Sequence, residues 1–375
     1  MKKIYFPNLD GLRFFAFLAV FFAHSFWTEF DYLKAVPLYG FIHKYAHKGV
    51  LGVNFFFVLS GFLITYLLLA ERELTHRIHI KAFYVRRILR IWPLYYLVVA
   101  IGFLVVPYVQ SRLGQPTPEK GRLLYYLTFV SNFDGPPTSA VLGVLWSIAV
   151  EEQFYLVWPV LLSIVPARWY AGVFPALVLL SLCLRPLVPE PLRYTSPFLN
   201  MADLAIGGWA AYLAFTSERF RNLFAHLSRP AIAAGYLLGF GLIFFLEPVG
   251  TYLGLAVPVS WLSRVVFAVF FAFIILEQNY AEHSFYKLSN AKRISTLGIY
   301  TYGLYLLHFL CIYVINKALD IFKLNTKLYQ VLVLQTVLCF VASVVVAWLS
   351  YQYLEKFFLS LKKRFEYVKT NPSRG

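Results

Sequence analysis

The sequence predicts an all-α polytopic membrane protein with about ten transmembrane helices, and three observations support this fold class. Of its 375 residues, 60% are hydrophobic and only 14% are charged, whereas soluble domains average about 25% charged residues. Apolar runs of nearly twenty residues, which is the length that crosses a bilayer as a helix, recur along the chain. None of these runs has the apolar–polar alternation of an outer-membrane barrel.

Ten apolar runs are predicted to span the bilayer. In chain order they cover residues 11–28, 50–70, 91–109, 148–165, 170–188, 197–215, 230–247, 257–277, 299–317 and 329–351. They form one membrane domain, residues 1–355, followed by a basic tail, residues 356–375. Residues 110–147 fit neither description, because "LLYYLTFVSNF" is too short to span. We expect this segment to lie outside or to dip back into the protein, since irregular backbone at membrane depth must be buried or line a wet cavity.

The distribution of Lys and Arg predicts the orientation of the chain. With the N-terminus inside, the cytoplasmic segments hold 22 of these residues and the outer segments hold 11. Because cytoplasmic loops carry an excess of Lys and Arg, we predict that both termini are cytoplasmic. The same bias explains the net charge of +16. No basic stripe lies on a soluble module, so we do not expect nucleic acid as a partner.

The cysteines exclude two classes of site. Cys183, Cys311 and Cys339 all lie in apolar runs, with no disulfide framework and no zinc-binding spacing. We therefore expect no metal. The sequence also lacks a phosphate-binding glycine loop and a nucleophile elbow.

Ionisable groups within the predicted spans are costly and are therefore the candidate functional residues. Arg13 and His24 lie eleven residues apart in the first span, which returns a helix to nearly the same face after a rise of about 16 Å. Arg13 is thus expected at the cytoplasmic mouth and His24 in the outer half. A long ligand could hold its anionic end at Arg13 and its far end at His24. Alternatively, Arg13 snorkels to the interface and His24 is a hydrogen-bonded core residue.

A second basic element lies in "FYVRRILRIWPLYYL". Arg87 and Arg90 share a helix face at spacing i, i+3. If Pro93 is a first-turn residue of the third span, both arginines stand at the cytoplasmic mouth. Planar guanidinium groups there suit phosphate, although simple positive-inside anchoring is the alternative.

The acidic candidate lies in "LWSIAVEEQFYLVWP". Ser147, Glu151 and Tyr155 follow one another at four-residue spacing and line one helix face. Glu151 is expected at about the depth of His24, where a carboxylate can fix the tautomer of an imidazole and stabilise its charged form. Glu152 points elsewhere and is expected to be solvated.

The ninth span contains "IYTYGLYLLH". Tyr302, Tyr305 and His308 lie close to one face, with His308 at mid-membrane, either as a substrate contact or as a hydrogen-bonded structural residue. Asp203 and Arg264 are predicted to form a buried ion pair.

Five stretches together resemble the bacterial acyltransferase-3 family of integral membrane O-acyltransferases over residues 5–355. They are "LDGLRFFAFLAVFFAH", "GVLGVNFFFVLSGFLIT", "RRILRIWPLYYL", "LWSIAVEEQFYLVWP" and "IYTYGLYLLH". The resemblance implies a multi-pass enzyme of the bacterial inner membrane. It would transfer an acyl group, expected to be acetyl, from cytoplasmic acyl-CoA to a hydroxyl of an extracytoplasmic or membrane-associated carbohydrate or related acceptor.

The same resemblance implies roles for single residues. Arg13 and His24 match the family's Arg-x10-His element, with His24 as general base, and Glu151 matches the acid of its Trp-Ser-x-x-x-Glu segment. Arg13, Arg87 and Arg90 would bind the phosphates of CoA, which is a co-substrate rather than a resident cofactor. The remaining expected pocket or acceptor residues are Asn54, Ser60, Trp146, Ser147, Tyr302, Tyr305 and His308.

The chain departs from the family pattern at Asn54, where Asp is frequent. A role that needs a carboxylate there would fall to Glu151. Many relatives carry a fused extracytoplasmic esterase-like domain, and we expect the stand-alone form, because the residues after 351 are too few to fold into one.

Other functions stay open from the sequence alone. The same charges could line the path of a transporter or flippase for an anionic lipid-linked sugar, although the hydropathy profile contains no inverted repeat. A non-catalytic scaffold would leave the buried charges unexplained. The identity of the acceptor, direct transfer against an acyl-histidine intermediate, and the oligomeric state are also left open.

Overall fold

The structure is a computed structural model that describes residues 4–112, 114, 121–134 and 139–368. These residues form helices and no β-strand, which confirms the predicted fold class. The α-helices are α1 (Asn8–Ser25), α2 (Asp31–Lys34), α3 (Pro37–His47), α4 (Leu51–Thr75), α5 (Ile80–Ala100), α6 (Val106–Arg112), α7 (Leu123–Leu127), α8 (Leu145–Ile164), α9 (Tyr170–Leu184), α10 (Pro197–Thr216), α11 (Glu218–Ala225), α12 (Arg229–Tyr252), α13 (Ala256–Tyr280), α14 (Lys292–Ile299), α15 (Thr301–Ile321), α16 (Thr336–Ser350) and α17 (Lys356–Lys362).

Short 3-10 and π segments extend or join these helices. The 3-10 turns are Lys48–Val50, Ser131–Phe133, Ala140–Leu142, Ala167–Trp169, Arg185–Leu187, Glu190–Leu192, Leu288–Asn290 and Lys363–Phe365. The π segments are Ile101–Val105, Gln330–Gln335 and Tyr351–Glu355. A π turn inserts one residue into a helix without ending it, so α5 continues into α6 and α16 into α17.

Nine helical stretches of the described residues are long and apolar enough to cross a bilayer, which confirms a multi-pass protein of the cell membrane. They are Pro37–Thr75, Ile80–Arg112, Leu145–Ile164, Ala167–Leu187, Glu190–Thr216, Arg229–Tyr252, Val259–Tyr280, Thr301–Ile321 and Gln330–Phe365. Nine of the ten predicted spans correspond to them. The remaining predicted span, 11–28, which is the first in chain order, corresponds to α1, whose 18 residues rise about 27 Å. Asp10, Arg13 and His24 lower the mean hydropathy of α1.

Helix α1 lies inside the bundle. It packs against α4, α14 and α15, and the side chains of Phe17, Val20 and Phe21 are completely buried. Because several helices surround it, the polar side chains of Arg13 and His24 face protein rather than lipid over much of their surface. This is the setting in which intramembrane ionisable groups become functional candidates.

Helices α4 and α10 approach each other backbone to backbone. A methyl group added at Gly61 would come 2.0 Å from the carbonyl oxygen of Leu204, and one at Gly207 would come 1.9 Å from that of Val58. Only glycine fits at these two positions, and small residues are what allow transmembrane helices to pack this closely. The contact fixes α4, which carries Ser60, against α10.

Helix α5 begins at Ile80, so Pro93 lies inside the helix. The prediction that Pro93 is a first-turn residue is therefore wrong. Proline removes one backbone N–H donor from the hydrogen bonds of a helix, but α5 continues on both sides of Pro93. As a consequence, Arg87 and Arg90 project from the body of α5 rather than from a loop before it.

Residues 121–134 pack against the bundle. They belong to the segment 110–147, which the sequence did not assign to a span. The side chain of Tyr126 is buried, and Tyr95 Oη donates a 2.8 Å hydrogen bond to its carbonyl oxygen. Gln153 Nε2 donates to the carbonyl oxygen of Phe129 at 2.7 Å. Residues 121–134 therefore lie against α5 and α8, and the rest of the loop is partly outside the described residues.

The C-terminal residues up to 368 are tied to the α4–α5 connection. Arg86 donates to the carbonyl oxygen of Phe365 at 2.7 Å and forms a 2.9 Å ion pair with Glu71. The ring of Tyr367 stacks on His79 with centroids 3.9 Å apart. The first part of the predicted basic tail thus packs as α17 against α5, whereas residues 369–375 lie outside the described residues.

Candidate active site

A cavity of about 120 Å³ lies between α1, α4, α5, α8 and α15. Eight of the twelve predicted site residues line it: Arg13, Ser60, Arg87, Arg90, Ser147, Glu151, Tyr302 and Tyr305. Tyr155 also lines the cavity, so the predicted shared face of three α8 residues is confirmed. The four predicted residues outside the lining are His24, Asn54, Trp146 and His308.

Three guanidinium groups mark one end of the cavity, which we call the arginine end (Arg13, Arg87 and Arg90). Arg13 pairs with Asp10 at 2.7 Å, an acid that sequence reasoning missed although its i, i+3 spacing from Arg13 was a visible signal. Arg87 lies over the rings of Phe83 and Tyr155, 5.4 and 5.3 Å from their centroids.

Arg87 also carries an unused donor. Among the described residues its Nε is buried and has no hydrogen-bond partner. Buried donors are rarely left unpaired, and guanidinium groups form short, strong hydrogen bonds to phosphate and carboxylate. The arginine end is therefore suited to an anionic ligand.

The middle of the cavity is a hydrogen-bonded set of side chains. Tyr155 Oη donates to Glu151 Oε2 at 3.1 Å and lies 2.5 Å from Ser60 Oγ. The expected contact between Glu151 and His24 is not formed: no hydrogen bond or ion pair joins these two described residues. The cause is the position of Glu151 along its helix. Since α8 begins at Leu145, Glu151 lies about 9 Å from the helix start, beside the arginines.

Two histidines lie behind the cavity lining on the side of Ser147 and Tyr305, and we call this group the histidine end (Ser147, Tyr305, His308 and His24). Ser147 Oγ lies 2.7 Å from Tyr305 Oη. The carbonyl oxygen of Tyr305 is 2.7 Å from His308 Nδ1, and His308 Nε2 is 3.3 Å from His24 Nδ1. His308 is fully buried, whereas His24 is half-buried. Tyr305 therefore joins the cavity to the histidine pair.

Asn54 belongs to a separate polar cluster. Its Nδ2 donates to Asp203 Oδ2 at 2.8 Å, and Arg264 pairs with the same oxygen at 2.8 Å. The predicted Asp203–Arg264 ion pair is confirmed. Asp203, on α10, also supplies a carboxylate beside Asn54, which the sequence could not indicate because the two residues are 149 positions apart.

Trp146 and Glu152 flank the site without lining the cavity. Trp146 packs against the rings of Phe57 and Tyr194, with centroids 6.2 and 4.8 Å away. Glu152 accepts a 3.1 Å hydrogen bond from Trp92, and its Oε1 is buried without a partner among the described residues. The expectation that Glu152 is solvated is therefore wrong, because α5 covers it.

The described residues contain no group of three or more His, Cys, Asp and Glu placed to hold a metal ion. The chemistry available at the site is that of an imidazole pair, a set of hydroxyls, one carboxylate and a cationic end. A reaction in which an anionic molecule is bound at one end and a proton is moved at the other suits this arrangement.

Comparison with known proteins gives several similar relatives. The peptidoglycan O-acetyltransferase of Listeria monocytogenes is 26% identical over 377 residues, which covers 94% of this chain and 56% of the relative. A putative peptidoglycan O-acetyltransferase of Bacillus subtilis is 34% identical over 200 residues, or 50% of this chain and 29% of the relative. An O-acetyltransferase of Staphylococcus aureus is 34% identical over 173 residues, covering 44% and 26%.

The chain thus spans about half the length of these relatives or less, and no solved structure matches it. A family model described as an acyltransferase domain matches residues 6–352. The matched range contains both ends of the cavity and all twelve predicted site residues. The chain belongs to the acyltransferase-3 family.

Proposed function

We propose that the protein is a membrane O-acyltransferase that moves an acyl group, acetyl in the simplest case, from cytoplasmic acyl-CoA to a hydroxyl of a carbohydrate on or near the outer face. The observation that carries the proposal is one cavity lined by three guanidinium groups and by Tyr305, whose carbonyl oxygen is hydrogen-bonded to an imidazole pair behind the lining. The names of the relatives support O-acetyl transfer and suggest a peptidoglycan-like acceptor.

The donor binds through its phosphates at the arginine end. Arg13, Arg87 and Arg90 line the same cavity, and guanidinium groups bind phosphate oxygens in a planar, two-pronged geometry. The thioester end of the donor then extends along α1. Arg13 and His24 are separated by about 16 Å of helix, which allows the phosphate end and the reacting carbonyl to be held by the same helix.

His24 acts as the general base. It accepts the proton of the acceptor hydroxyl, and the hydroxyl oxygen attacks the carbonyl carbon of the thioester. The carbon–sulfur bond then breaks, and the leaving thiolate takes up the proton from the imidazolium, which restores neutral His24 and releases CoA. General-base catalysis of this kind typically contributes about 10²–10⁴ in rate.

Glu151 acts on the donor side of the reaction. Its carboxylate lies in the cavity with the three arginines and accepts a hydrogen bond from Tyr155. A carboxylate in that position orients guanidinium groups by charge attraction and holds the tyrosine hydroxyl toward Ser60. This proposal gives Glu151 a positioning role at the arginine end.

Purified protein, labelled acetyl-CoA and peptidoglycan fragments as acceptor test the proposal. We expect labelled ester on the fragments, and a loss of about 100-fold or more in turnover for His24→Ala. His283→Ala, an exposed histidine outside the cavity, is the matched control and should keep wild-type turnover. Near-normal turnover by well-folded His24→Ala protein would refute His24 as the base. Transport of a lipid-linked sugar across vesicles without any ester formation would refute the enzyme itself.

A further inference from the structure

The two histidines of the histidine end form a direct pair. Their facing nitrogens, His24 Nδ1 and His308 Nε2, are 3.3 Å apart. The rings are inclined by 30° with centroids 5.5 Å apart. Phe309 packs 4.5 Å from the His24 ring, and Phe17 contacts His308 edge-on at 5.8 Å. This packing holds both imidazoles in one orientation.

The hydrogen bonds of the pair determine where its protons lie. A neutral imidazole has one N–H donor and one acceptor nitrogen. A backbone carbonyl can only accept, so the 2.7 Å contact with the Tyr305 oxygen requires the proton of His308 on Nδ1. Nε2 of His308 is then an acceptor. The proton between the two rings therefore belongs to His24 Nδ1, and the lone pair of His24 lies on Nε2.

We propose that His308 is the positioning residue of His24: it keeps the His24 proton on Nδ1 and leaves Nε2 free to act as the base. The inference rests on the proposed function, because it needs His24 to take up the hydroxyl proton. It assigns to a neutral imidazole the task that a carboxylate performs in a Ser-His-Asp triad.

The exposure of the two rings agrees with this assignment. His308 is completely buried, and both of its nitrogens have partners. His24 is half-buried. Its Nδ1 faces His308, and its ring also bonds to the backbone of Val20, four residues earlier in α1, which a histidine reaches with Nδ1, the nitrogen next to Cγ. The ring edge that remains available to a substrate is therefore the Nε2 edge of His24.

The hydrogen bonds from His24 to His308 and from His308 to the Tyr305 carbonyl oxygen also stabilise the protonated base. When Nε2 of His24 takes up a proton, Nδ1–H becomes a donor on a cation, and its hydrogen bond to His308 becomes charge-assisted. The His308 ring passes this polarisation to the carbonyl of Tyr305, since bonds in a chain strengthen one another. No carboxylate is needed at the histidine end, which is consistent with the position of Glu151 at the arginine end.

Three substitutions at His308 separate positioning from structural support. In His308→Gln, the amide oxygen reaches the place of Nε2 and can accept the proton of His24 Nδ1. In His308→Asn, the shorter amide reaches only the place of Nδ1 and can still donate to Tyr305. His308→Phe keeps the ring volume and does neither. Detergent-solubilised protein of each variant is first checked for monodispersity.

We expect turnover at saturating acetyl-CoA to fall about 10- to 100-fold in the Phe and Asn variants, below the full contribution of the base. The Gln variant should recover to within about fivefold of wild type. The KM for acetyl-CoA should stay within about twofold throughout, since the arginine end is untouched. Recovery by Asn and not by Gln would show that His308 only supports the Tyr305 backbone and would overturn the inference.

Nitrogen-15 NMR of histidine-labelled protein in nanodiscs reads the tautomer directly, with His24→Ala used to assign the signal. Wild-type His24 should be protonated at Nδ1, and His308→Phe should shift the population toward Nε2. A wild-type His24 protonated at Nε2 would overturn the inference even if every variant is inactive. If His24→Ala keeps its activity, the proposed function fails. If His24→Ala is inactive but His308→Phe matches wild type, only the role of His308 fails.

Discussion

The two ends of the cavity differ in how completely their polar groups are hydrogen-bonded. At the arginine end, Arg87 has a buried nitrogen without a partner among the described residues, and Arg13 has one carboxylate neighbour, Asp10. At the histidine end, each nitrogen of buried His308 has a partner. Unused donors indicate a place for a ligand, whereas a satisfied network indicates groups held in a fixed geometry.

A third region shows that buried charge alone does not indicate a reaction site. The Asp203–Arg264 pair is as deeply buried as either end of the cavity, with side-chain exposures of 0% and 14%. Its Oδ2 also accepts from Asn54, its Oδ1 is buried without a partner among the described residues, and none of the three residues lines the cavity. A buried charge or an unpaired buried atom therefore indicates a place for a ligand only where the group lines the cavity, as Arg87 does.

The largest expected effect tests the structural role of that third region. Arg264→Gln should destabilise the protein by about 3–5 kcal/mol, because it leaves a buried carboxylate without its counter-charge. Thermal unfolding in detergent measures the loss. The double variant with Asp203→Asn removes both charges and should regain much of the stability, since the two effects are coupled. An unchanged midpoint for Arg264→Gln would mean that the pair contributes nothing to the fold.

Alanine at the arginine end should weaken donor binding. Arg87→Ala and Arg90→Ala each remove a charged hydrogen-bond donor worth about 1.5–3 kcal/mol, which corresponds to roughly a 10- to 100-fold rise in the dissociation constant for acetyl-CoA. Lysine at either position should restore only part of it. Binding is measured by titration in detergent, with Arg168→Ala, an exposed arginine outside the cavity lining, as the control. Unchanged affinity would leave these arginines with a topological role only.

A smaller effect distinguishes the two ends directly. Glu151→Gln keeps an acceptor for Tyr155 but removes the negative charge beside the arginines, so we expect about a three- to tenfold change in KM for acetyl-CoA. Turnover at saturation should change less than KM. If turnover instead falls as far as in His24→Ala with KM unchanged, Glu151 acts at the histidine end, as the sequence alone predicted.

The smallest effect concerns the C-terminal residues that pack on the α4–α5 connection. Tyr367→Ala removes a stacked ring pair worth about 0.5–1.5 kcal/mol and should speed hydrogen exchange in residues 363–368. Turnover should stay at the wild-type level, because Tyr367 is outside the cavity lining. A loss of activity as large as that of Arg87→Ala would extend the arginine end to the C-terminal segment.

Local periodicity was sufficient to predict much of this molecule. Apolar run lengths gave the spans, and helical spacing placed Ser147, Glu151 and Tyr155 on one face, because each property depends only on residues of one continuous helix. The partners of Asn54 and His24 were not predictable in the same way. They lie 149 and 284 positions away along the chain, and only the packing of whole helices brings them together.

Depth along a helix was the main source of error. The predicted span that contains Glu151 starts at residue 148, but α8 begins three residues earlier, at Leu145, so the carboxylate lies about 9 Å from the start of the helix rather than about 4.5 Å. Pro93 led to the same kind of error in α5, where the helix starts at Ile80. The cytoplasmic location of both termini, which rests on the Lys and Arg count, stays a prediction.

Acyl transfer across the membrane is the central claim, and oriented proteoliposomes test it most directly. Labelled acetyl-CoA is supplied only to the face that carries Arg87, Arg90 and the C-terminal helix, and peptidoglycan fragments are supplied only to the opposite face. We expect labelled ester on the fragments, at a rate that falls about 100-fold or more in His24→Ala. Efficient acylation when both substrates are supplied only to the face opposite the arginines would contradict it.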